Sequence, residues 1–430
     1  MDGEMTAYET VFTMDTSSIK YGPGATSEVG EEMRRLGAKR VMVVTDPRLA
    51  DSAPVQITMA ALRDAGIDAV LYDQTRVEPT DASFLNAIAF ATEGQFDGYV
   101  GVGGGSSIDT AKVANLYATW PADLLEYVNA PIGRATPVPG PVKPLIAIPT
   151  TAGTGSETTG VAIFDYEQMH AKTGIAHRAL RPVMGIVDPD NTRSMPPMVA
   201  ACSGFDVLSH AVESLTALPY NERPAPESLA MRPAYQGSNP ISDLWASKAI
   251  EMVASNIIRA VETPEDDEAR GQMMLASAFA GIGFGNAGVH LPHGMSYPVS
   301  GMVREYQPDG YDVGHPIIPH GMSVILNAPA VFRWTSVANP QRHLLAARLM
   351  GADTQGAADE DAGNILANAM IDLMRRTGVP NGLAAVGFES DDIPALVAGT
   401  IPQHRVTKLS PRPASEEDLA GLFADAMRYW

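Results

Sequence analysis

With a single cysteine, Cys202, in 430 residues, the chain cannot close an intrachain disulfide. That excludes a disulfide-stapled extracellular scaffold and fits a reducing compartment, with Cys202 read as a small packed side chain. Basic residues are also scarce: 30 Lys and Arg stand against 50 Asp and Glu, for a net charge of −20. Such a field repels phosphate backbones and anionic lipid surfaces, so neither nucleic acid nor a membrane is expected as a partner. The first twenty residues carry Asp2, Glu4, Glu9 and Asp15 but no arginine. This is the wrong composition for a secretory or mitochondrial leader, and a cytoplasmic location is the expectation. The longest apolar run, Met273 to Phe284, is shorter than the ~20 residues a bilayer requires and reads as a buried helix. A G-x-S-x-G nucleophile elbow is missing as well, and the glycine run Gly103 to Gly105 is not a G-x-G-x-x-G fingerprint.

What is present describes a globular chain long enough for two domains, 45% hydrophobic and 19% charged. The N-terminal part alternates short apolar runs with helical patterns. Strands are predicted at Lys39 to Asp46, Ala69 to Tyr72, Gly98 to Val102, Leu145 to Pro149 and Val183 to Val187, and helices at Thr58 to Ala65 and Asp81 to Glu93. Lys20 to Gly24 reads as a turn before a first helix. Alternation of this kind predicts a parallel sheet covered by helices on both faces, a Rossmann-like unit over residues 1–190. From about Pro196 the period changes: Ile250, Val253, Ala254, Ile257, Ile258 and Val261 share one helical face, and Ser415 with Glu416, Glu417 and Asp418 marks the start of a last helix. An all-helical domain is predicted over residues 191–430. Pro131 to Pro144, with three further prolines between them, reads as an irregular loop. Loops at Leu218 to Pro240 and Arg304 to His315 are long enough to suggest function.

The strand ending at Val102 runs into Gly103, Gly104, Gly105 and Ser106, and Asp109 lies in the helix that follows. Glycines at a strand-to-helix turn let the backbone approach a pyrophosphate, and the helix N-terminus supplies N–H groups to it. A second cluster, Thr150, Thr151, Thr154 and Ser156, follows the strand at Leu145; clustered hydroxyls and glycines of this kind also serve simply to solvate a turn.

Asp206 and His210 are four residues apart, which on a helix places them one above the other on the same face. Two further histidines sit in matching contexts, His293 in Leu-Pro-His-Gly and His320 in Ile-Pro-His-Gly. One carboxylate with three imidazoles suits a divalent transition metal such as Fe(II) or Zn(II), where calcium or magnesium calls for more oxygen.

The strings GVGGGSSIDTAKV, IPTTAGTGSETT, SGFDVLSHAVES, LPHGMSYP and IPHG resemble the iron-containing alcohol dehydrogenase family over nearly the whole chain. Within it, AFAGIGFGNAGVHLPHGMSYP and RPAYQGSNPISDLWA look like the hydroxyacid-oxoacid transhydrogenase branch. The resemblance implies a nucleotide-binding domain facing a helical metal domain, and a homodimer or larger oligomer. It makes Asp206, His210, His293 and His320 the metal ligands. It sets Gly103, Gly104, Gly105, Ser106, Asp109, Thr150, Thr151 and Thr154 against NAD(H), brings Lys172 to the cofactor ribose, and makes Asp46 the residue that accepts the adenosine ribose hydroxyls. His290, three residues before His293, is expected to pack or to orient a ligand without touching the ion.

Many members carry a second histidine four residues after the ligand of H-G-M-x-H; here that position is Tyr297. A phenol shuttles protons poorly at neutral pH but orients an oxygen by hydrogen bonding. A hydride carrier for acids also needs a carboxylate-binding cation, for which Arg232, Arg304 and His315 are the candidates. Three readings follow. The first is transhydrogenation from a hydroxy acid such as 4-hydroxybutyrate to the oxo acid 2-oxoglutarate through retained nicotinamide. The second is conventional NAD-dependent alcohol oxidation, and the third a non-catalytic nucleotide-binding protein.

Overall fold

Aliphatic runs too apolar to leave a face in water fix the centre of the sheet. The computed structural model describes residues 8–169, 171–228 and 232–430; Asp2, Glu4 and part of the loop between Leu218 and Pro240 lie outside them. The strands are β1 (Ser18–Tyr21), β2 (Arg40–Val44), β3 (Asp68–Tyr72), β4 (Gly98–Gly103), β5 (Leu145–Pro149), β6 (Val161–Tyr166), β7 (Ala171–Ala176) and β8 (Met184–Val187). Six of them form one sheet in the order β1-β8-β5-β4-β2-β3, with every pairing parallel. The inner strands β4 and β5 are buried along their whole length, as expected of a parallel sheet covered on both faces.

Alternation along each strand divides the core in two. Val41 and Val43 pack with Val29, Met33, Val55 and Leu62, from α1 (Val29–Arg35) and α2 (Ala53–Asp64). Met42 and Val44 point the other way, toward Ala87, Ala91, Ala111 and Ala114 of α3 (Asp81–Gly94) and α4 (Gly105–Thr119). After β3 the chain returns past β2 to lay down β4 on its other side, so the strand order reverses between β2 and β4. The C-terminal ends of those two strands are where a doubly wound sheet binds its ligand. Asp46 and the Gly103 turn stand there.

The helical part comprises α5 (Pro197–Thr216), α6 (Pro240–Glu262), α7 (Asp267–Ala287), α8 (Leu291–Gly301), α9 (His320–Ile325), α10 (Ala328–Thr335), α11 (Pro340–Leu349), α12 (Ala362–Arg376), α13 (Ile393–Thr400), α14 (His404–Thr407) and α15 (Glu416–Ala426). Helices α5, α6 and α7 pack on one another around Phe205, Leu208, Ile250, Val253, Ile257 and Met274, all buried. Asn239 caps α6 through the backbone N–H groups of Ile241 and Ser242, and Ser415 with Asp418 closes a reciprocal cap on α15. No single helix among the described residues is long and apolar enough to cross a membrane.

Two features depart from the sequence reading. Lys20 and Tyr21 end the edge strand β1, so the turn spans only Gly22 to Gly24; four residues with a single aliphatic side chain leave little periodic signal. The antiparallel hairpin β6–β7 was not anticipated either, because Lys172 and Gly174 break the apolar alternation of its second strand.

Candidate active site

Helix α5 delivers Asp206 and His210 from one face, both buried. His293 lies in the first turn of α8, behind Pro292, and His320 is the first residue of α9, behind Pro319. These helices cross closely enough that a Cβ on Gly321 would fall 2.0 Å from the Cys202 carbonyl oxygen of α5 and 2.8 Å from Asp206 Cβ. Glycine after His320 is therefore a steric requirement. The ligand atoms of all four residues lie within 4.8 Å of one another. From Asp206 Oδ1 the Nε2 atoms stand at 3.7 Å for His210, 3.6 Å for His293 and 3.6 Å for His320. Asp206 Oδ1 and His293 Nε2 are buried and form no hydrogen bond. Buried polar atoms left unpaired are costly, and a divalent cation among four convergent donors satisfies them together. The residues therefore fit a metal of the iron or zinc type.

Burial opposes ionisation of Asp206, but His210, His320 and His293 outweigh it and hold its carboxyl below the ordinary range. Burial, with His293 and His320 beside it, keeps the His210 ring neutral, and that ring stacks 3.8 Å from Phe284. His293 moves the other way: despite burial, Glu213 and Asp206 favour positive charge at this ring.

Glu213 was not singled out from the sequence. It is fully buried on α5; its Oε1 accepts from His293 Nδ1 at 2.5 Å, and its Oε2 accepts from the His290 backbone N–H at 2.6 Å. A carboxylate on Nδ1 fixes the tautomer and turns Nε2 toward the ion. The signal was in the sequence, since Asp206, His210 and Glu213 follow the i, i+4, i+7 stripe of one helical face. His290 stays outside the cluster. Thr216 Oγ1 spends its proton on the Val212 carbonyl, so His290 Nε2 donates to it at 3.0 Å. Burial pushes this imidazole down to about 4.

The nucleotide side is a cleft of about 1450 Å³ lined by Asp46, Gly104, Gly105, Ser106, Thr150, Thr151 and Thr154, and at its inner end by Asp206 and His320. Gly103 closes β4 at φ 148°, and a Cβ there would meet Ser107 Oγ at 2.6 Å. Asp46 Oδ1 accepts from the Arg48 and Leu49 backbone at 2.9 and 3.3 Å, which fixes the carboxylate at the mouth.

Two residues expected at the cofactor have other partners. The Asp109 carboxylate accepts from Ser156 Oγ at 2.5 Å, from Lys112 Nζ at 3.3 Å and from the Ile163 backbone at 3.0 Å, so it ties β6 and the threonine loop to α4. The Lys172 ammonium is held by Glu78 and, at 3.2 Å, by Asp165; it lines the metal cavity and not the nucleotide cleft. Glu78 carries no sequence signal for its contact, because Lys172 is 94 positions away; Lys112 stands three residues from Asp109 on one helix and Asp165 faces Lys172 across the hairpin, spacings that the sequence reading did not use.

The metal cavity, about 810 Å³, is lined by Glu78, Ser106, Asp109, Lys172, Tyr235, Tyr297 and Arg405 together with the four candidate ligands. The candidate acid-binding cations do not reach it. Arg232 pairs with Glu9 at 3.0 Å, and Arg304, exposed beyond the end of α8, reaches Asp392 and the Gly387 carbonyl. Each was within reach of an acidic partner that the sequence reading did not see. His315 does not line the metal cavity but an adjoining pocket, beside Arg76, that shares Glu78 and Lys172 with it. Tyr297 does face the cavity, four residues and one turn beyond His293, and its hydroxyl accepts from Arg405 Nη2 at 3.0 Å.

A glycine turn at the switch point of a parallel sheet, facing a His₃Asp cluster across one continuous cleft, defines a metal-dependent nicotinamide oxidoreductase. The chain belongs to the iron-containing alcohol dehydrogenase family: residues 16–189 match the model described as iron-containing alcohol dehydrogenase, and residues 234–427 that of the family's C-terminal part. It is 56% identical over 430 residues to the protein of Bos taurus named hydroxyacid-oxoacid transhydrogenase, mitochondrial, covering all of this chain and 92% of the bovine one. The Mus musculus protein of the same name is 57% identical over 421 residues, covering 97% of this chain and 90% of its own. Among solved structures, a 1,3-propanediol oxidoreductase superposes with TM-score 0.85 at 29% identity, covering 97% of this chain and 100% of that one. Sulfoacetaldehyde reductase from Bifidobacterium kashiwanohense, in complex with NAD+, gives 0.79 at 25% identity, covering 97% and 99%.

These relatives overturn the cytoplasmic expectation, since they are named mitochondrial. One cysteine excludes a disulfide without distinguishing one reducing compartment from another. The composition of the first twenty residues was likewise no guide to the compartment.

Proposed function

We propose that this protein is a hydroxyacid-oxoacid transhydrogenase. It oxidises a short hydroxy acid such as 4-hydroxybutyrate to the aldehyde acid, succinate semialdehyde, and passes the hydride to 2-oxoglutarate, giving 2-hydroxyglutarate. The observation that carries the reading is the shared wall: Glu78, Gly105, Ser106, Thr154, Asp206 and His320 line both the nucleotide cleft and the metal cavity, so the two open onto each other. Residues 1–190 are then the nucleotide-binding unit and 191–430 the metal-binding unit, in a homodimer or larger assembly.

Asp206, His210, His293 and His320 hold an Fe(II) or Zn(II) ion, with Glu213 fixing the ring of His293. The Gly103–Gly105 turn, Ser106, Thr150, Thr151 and Thr154 receive NAD(H), and Asp46 meets the adenosine ribose. When bound, the ion supplies Lewis acidity and the nicotinamide a two-electron hydride store. Tyr297, whose oxygen already accepts from Arg405, keeps its own proton to donate toward a substrate oxygen. The apolar wall of Val161, Ile163, Phe284 and Val289 limits water around the reacting carbon.

Desalted enzyme given 4-hydroxybutyrate and 2-oxoglutarate, with no added nicotinamide, is expected to form succinate semialdehyde and 2-hydroxyglutarate in equal amounts. Double-reciprocal plots should be parallel, the sign of a ping-pong cycle, and denatured enzyme should release close to one nicotinamide per chain. Product formed only when NAD is supplied, with simple alcohols serving as well as hydroxy acids, overturns the reading in favour of a conventional dehydrogenase.

A further inference from the structure

Two cationic side chains line the metal cavity apart from the histidines, and they differ in one respect. Lys172 arrives neutralised by Glu78 and Asp165. Arg405 is half-buried, and among the described residues no carboxylate oxygen pairs with it. Its Nη2 donates to Tyr297 Oη at 3.0 Å, and its guanidinium carbon lies 5.1 Å from the centre of the Tyr235 ring. Its Nη1 is buried with no hydrogen-bond partner. A charged N–H group withdrawn from water without a partner is unfavourable, and one on a side chain that lines a substrate cavity is satisfied when an anion enters.

We propose that Arg405 is the carboxylate-binding residue of the active site, and that it holds the acid group of the hydroxy acid and of the oxo acid in turn. The proposal rests on the transhydrogenase reading and names the residue that makes it specific for acids. Tyr297 and Tyr235 are its positioning residues: the phenol oxygen and the ring face fix the plane of the guanidinium, leaving Nη1 and a neighbouring N–H to grip a carboxylate as a fork. Tyr297 thereby acquires a reason. An imidazole there takes a proton and sets a second positive charge against Arg405, while a phenol accepts its hydrogen bond without competing for the anion. Sharing one cation between both acids also fits a cycle in which the first product leaves before the second substrate binds.

The test uses glutarate, a dicarboxylate with no group to oxidise or reduce, and measures its binding to the holoenzyme by calorimetry alongside transhydrogenase turnover. Arg405→Met is expected to weaken glutarate binding by about 100-fold and to lower kcat/KM for both acids by a similar factor, while metal content and NAD affinity stay at wild-type levels. Arg405→Lys keeps the charge and loses the fork, and is expected to lie between, at about 10-fold; it serves alone if the methionine variant does not fold. Glutarate bound equally by wild type and Arg405→Lys, or not bound by the wild type at all, overturns the assignment. The two readings fail separately. If wild type binds glutarate through Arg405 but needs added NAD for every turnover, the transhydrogenase reading falls and the carboxylate site stands. If both variants transhydrogenate normally, the reverse holds.

Discussion

At the residue scale, the site is governed by which charges have partners. Glu213 illustrates a residue acting through another: it touches no substrate, yet both of its oxygens are spent on the segment that presents His293. Burial disfavours its charge, but His293 and His290 hold its carboxyl below the ordinary range. Glu213→Gln is isosteric and removes that charge. It is expected to leave the fold intact and weaken metal retention by about 10- to 100-fold, the usual effect of losing a carboxylate behind a ligand histidine. Metal per chain after dialysis against graded chelator measures this, and retention equal to wild type sinks the role. The four candidate ligands were legible because they sit in short motifs on one helix or just behind a proline. Arg405 was not legible, since nothing within His404–Thr407 distinguishes it from a surface arginine and its meaning comes from Tyr297, 108 positions away. Arg232 and Arg304 misled for the converse reason: each lies in a suggestive loop, and each is neutralised by an acid brought from a distant part of the chain.

At the element scale, α5 is the common support, carrying two ligands and Glu213 on one stripe while α9 lies across it. That crossing depends on Gly321. A methyl group at this position overlaps the Cys202 carbonyl, which belongs to the backbone of a buried helix and cannot swing aside. Gly321→Ala therefore has to push α9 outward, and His320 moves with it. The expected outcome is a loss of about 1–3 kcal/mol or more, as for other overpacked cores, together with impaired metal binding; thermal unfolding and metal analysis report the two. A variant with wild-type midpoint and full metal content would show that the crossing tolerates a Cβ. Apolar runs such as Val41 to Val44 made the inner strands readable, because a strand buried on both faces has no polar alternative. The hairpin β6–β7 was unreadable from its own residues. Much of its hold is external, through the Asp109 carboxylate on the Ile163 N–H and the Lys172 ion pairs.

At the scale of the whole molecule, the sheet and the helical part join at the threonine loop, where Gly155 packs against Gly281 of α7 and Glu157 is buried beside Gly185 of β8. The change of sequence period near Pro196 falls just before α5 begins at Pro197, but the side chains that hold the seam were not apparent from it. Burial pushes the Glu157 carboxyl up to about 7, against an ordinary value of 4.5, and Lys112 only partly offsets this. The sign of the consequence follows from proton counting. Between pH 4.5 and about 7 the folded chain keeps the Glu157 proton while the unfolded chain has released it, so folding binds a proton and stability falls as pH rises through that window. Above about 7 both states are ionised and the loss is complete. At about 1.4 kcal/mol per tenfold change in proton affinity, the full loss is about 3 kcal/mol. Glu157→Gln cannot ionise and removes the dependence. The variant should match wild type at pH 5 and exceed it at pH 8, with the difference growing across the interval; unfolding midpoints of both proteins at half-unit steps from pH 5 to pH 8 measure this. Parallel profiles would mean that Lys112 neutralises Glu157 in the folded seam and that its carboxylate is ionised throughout.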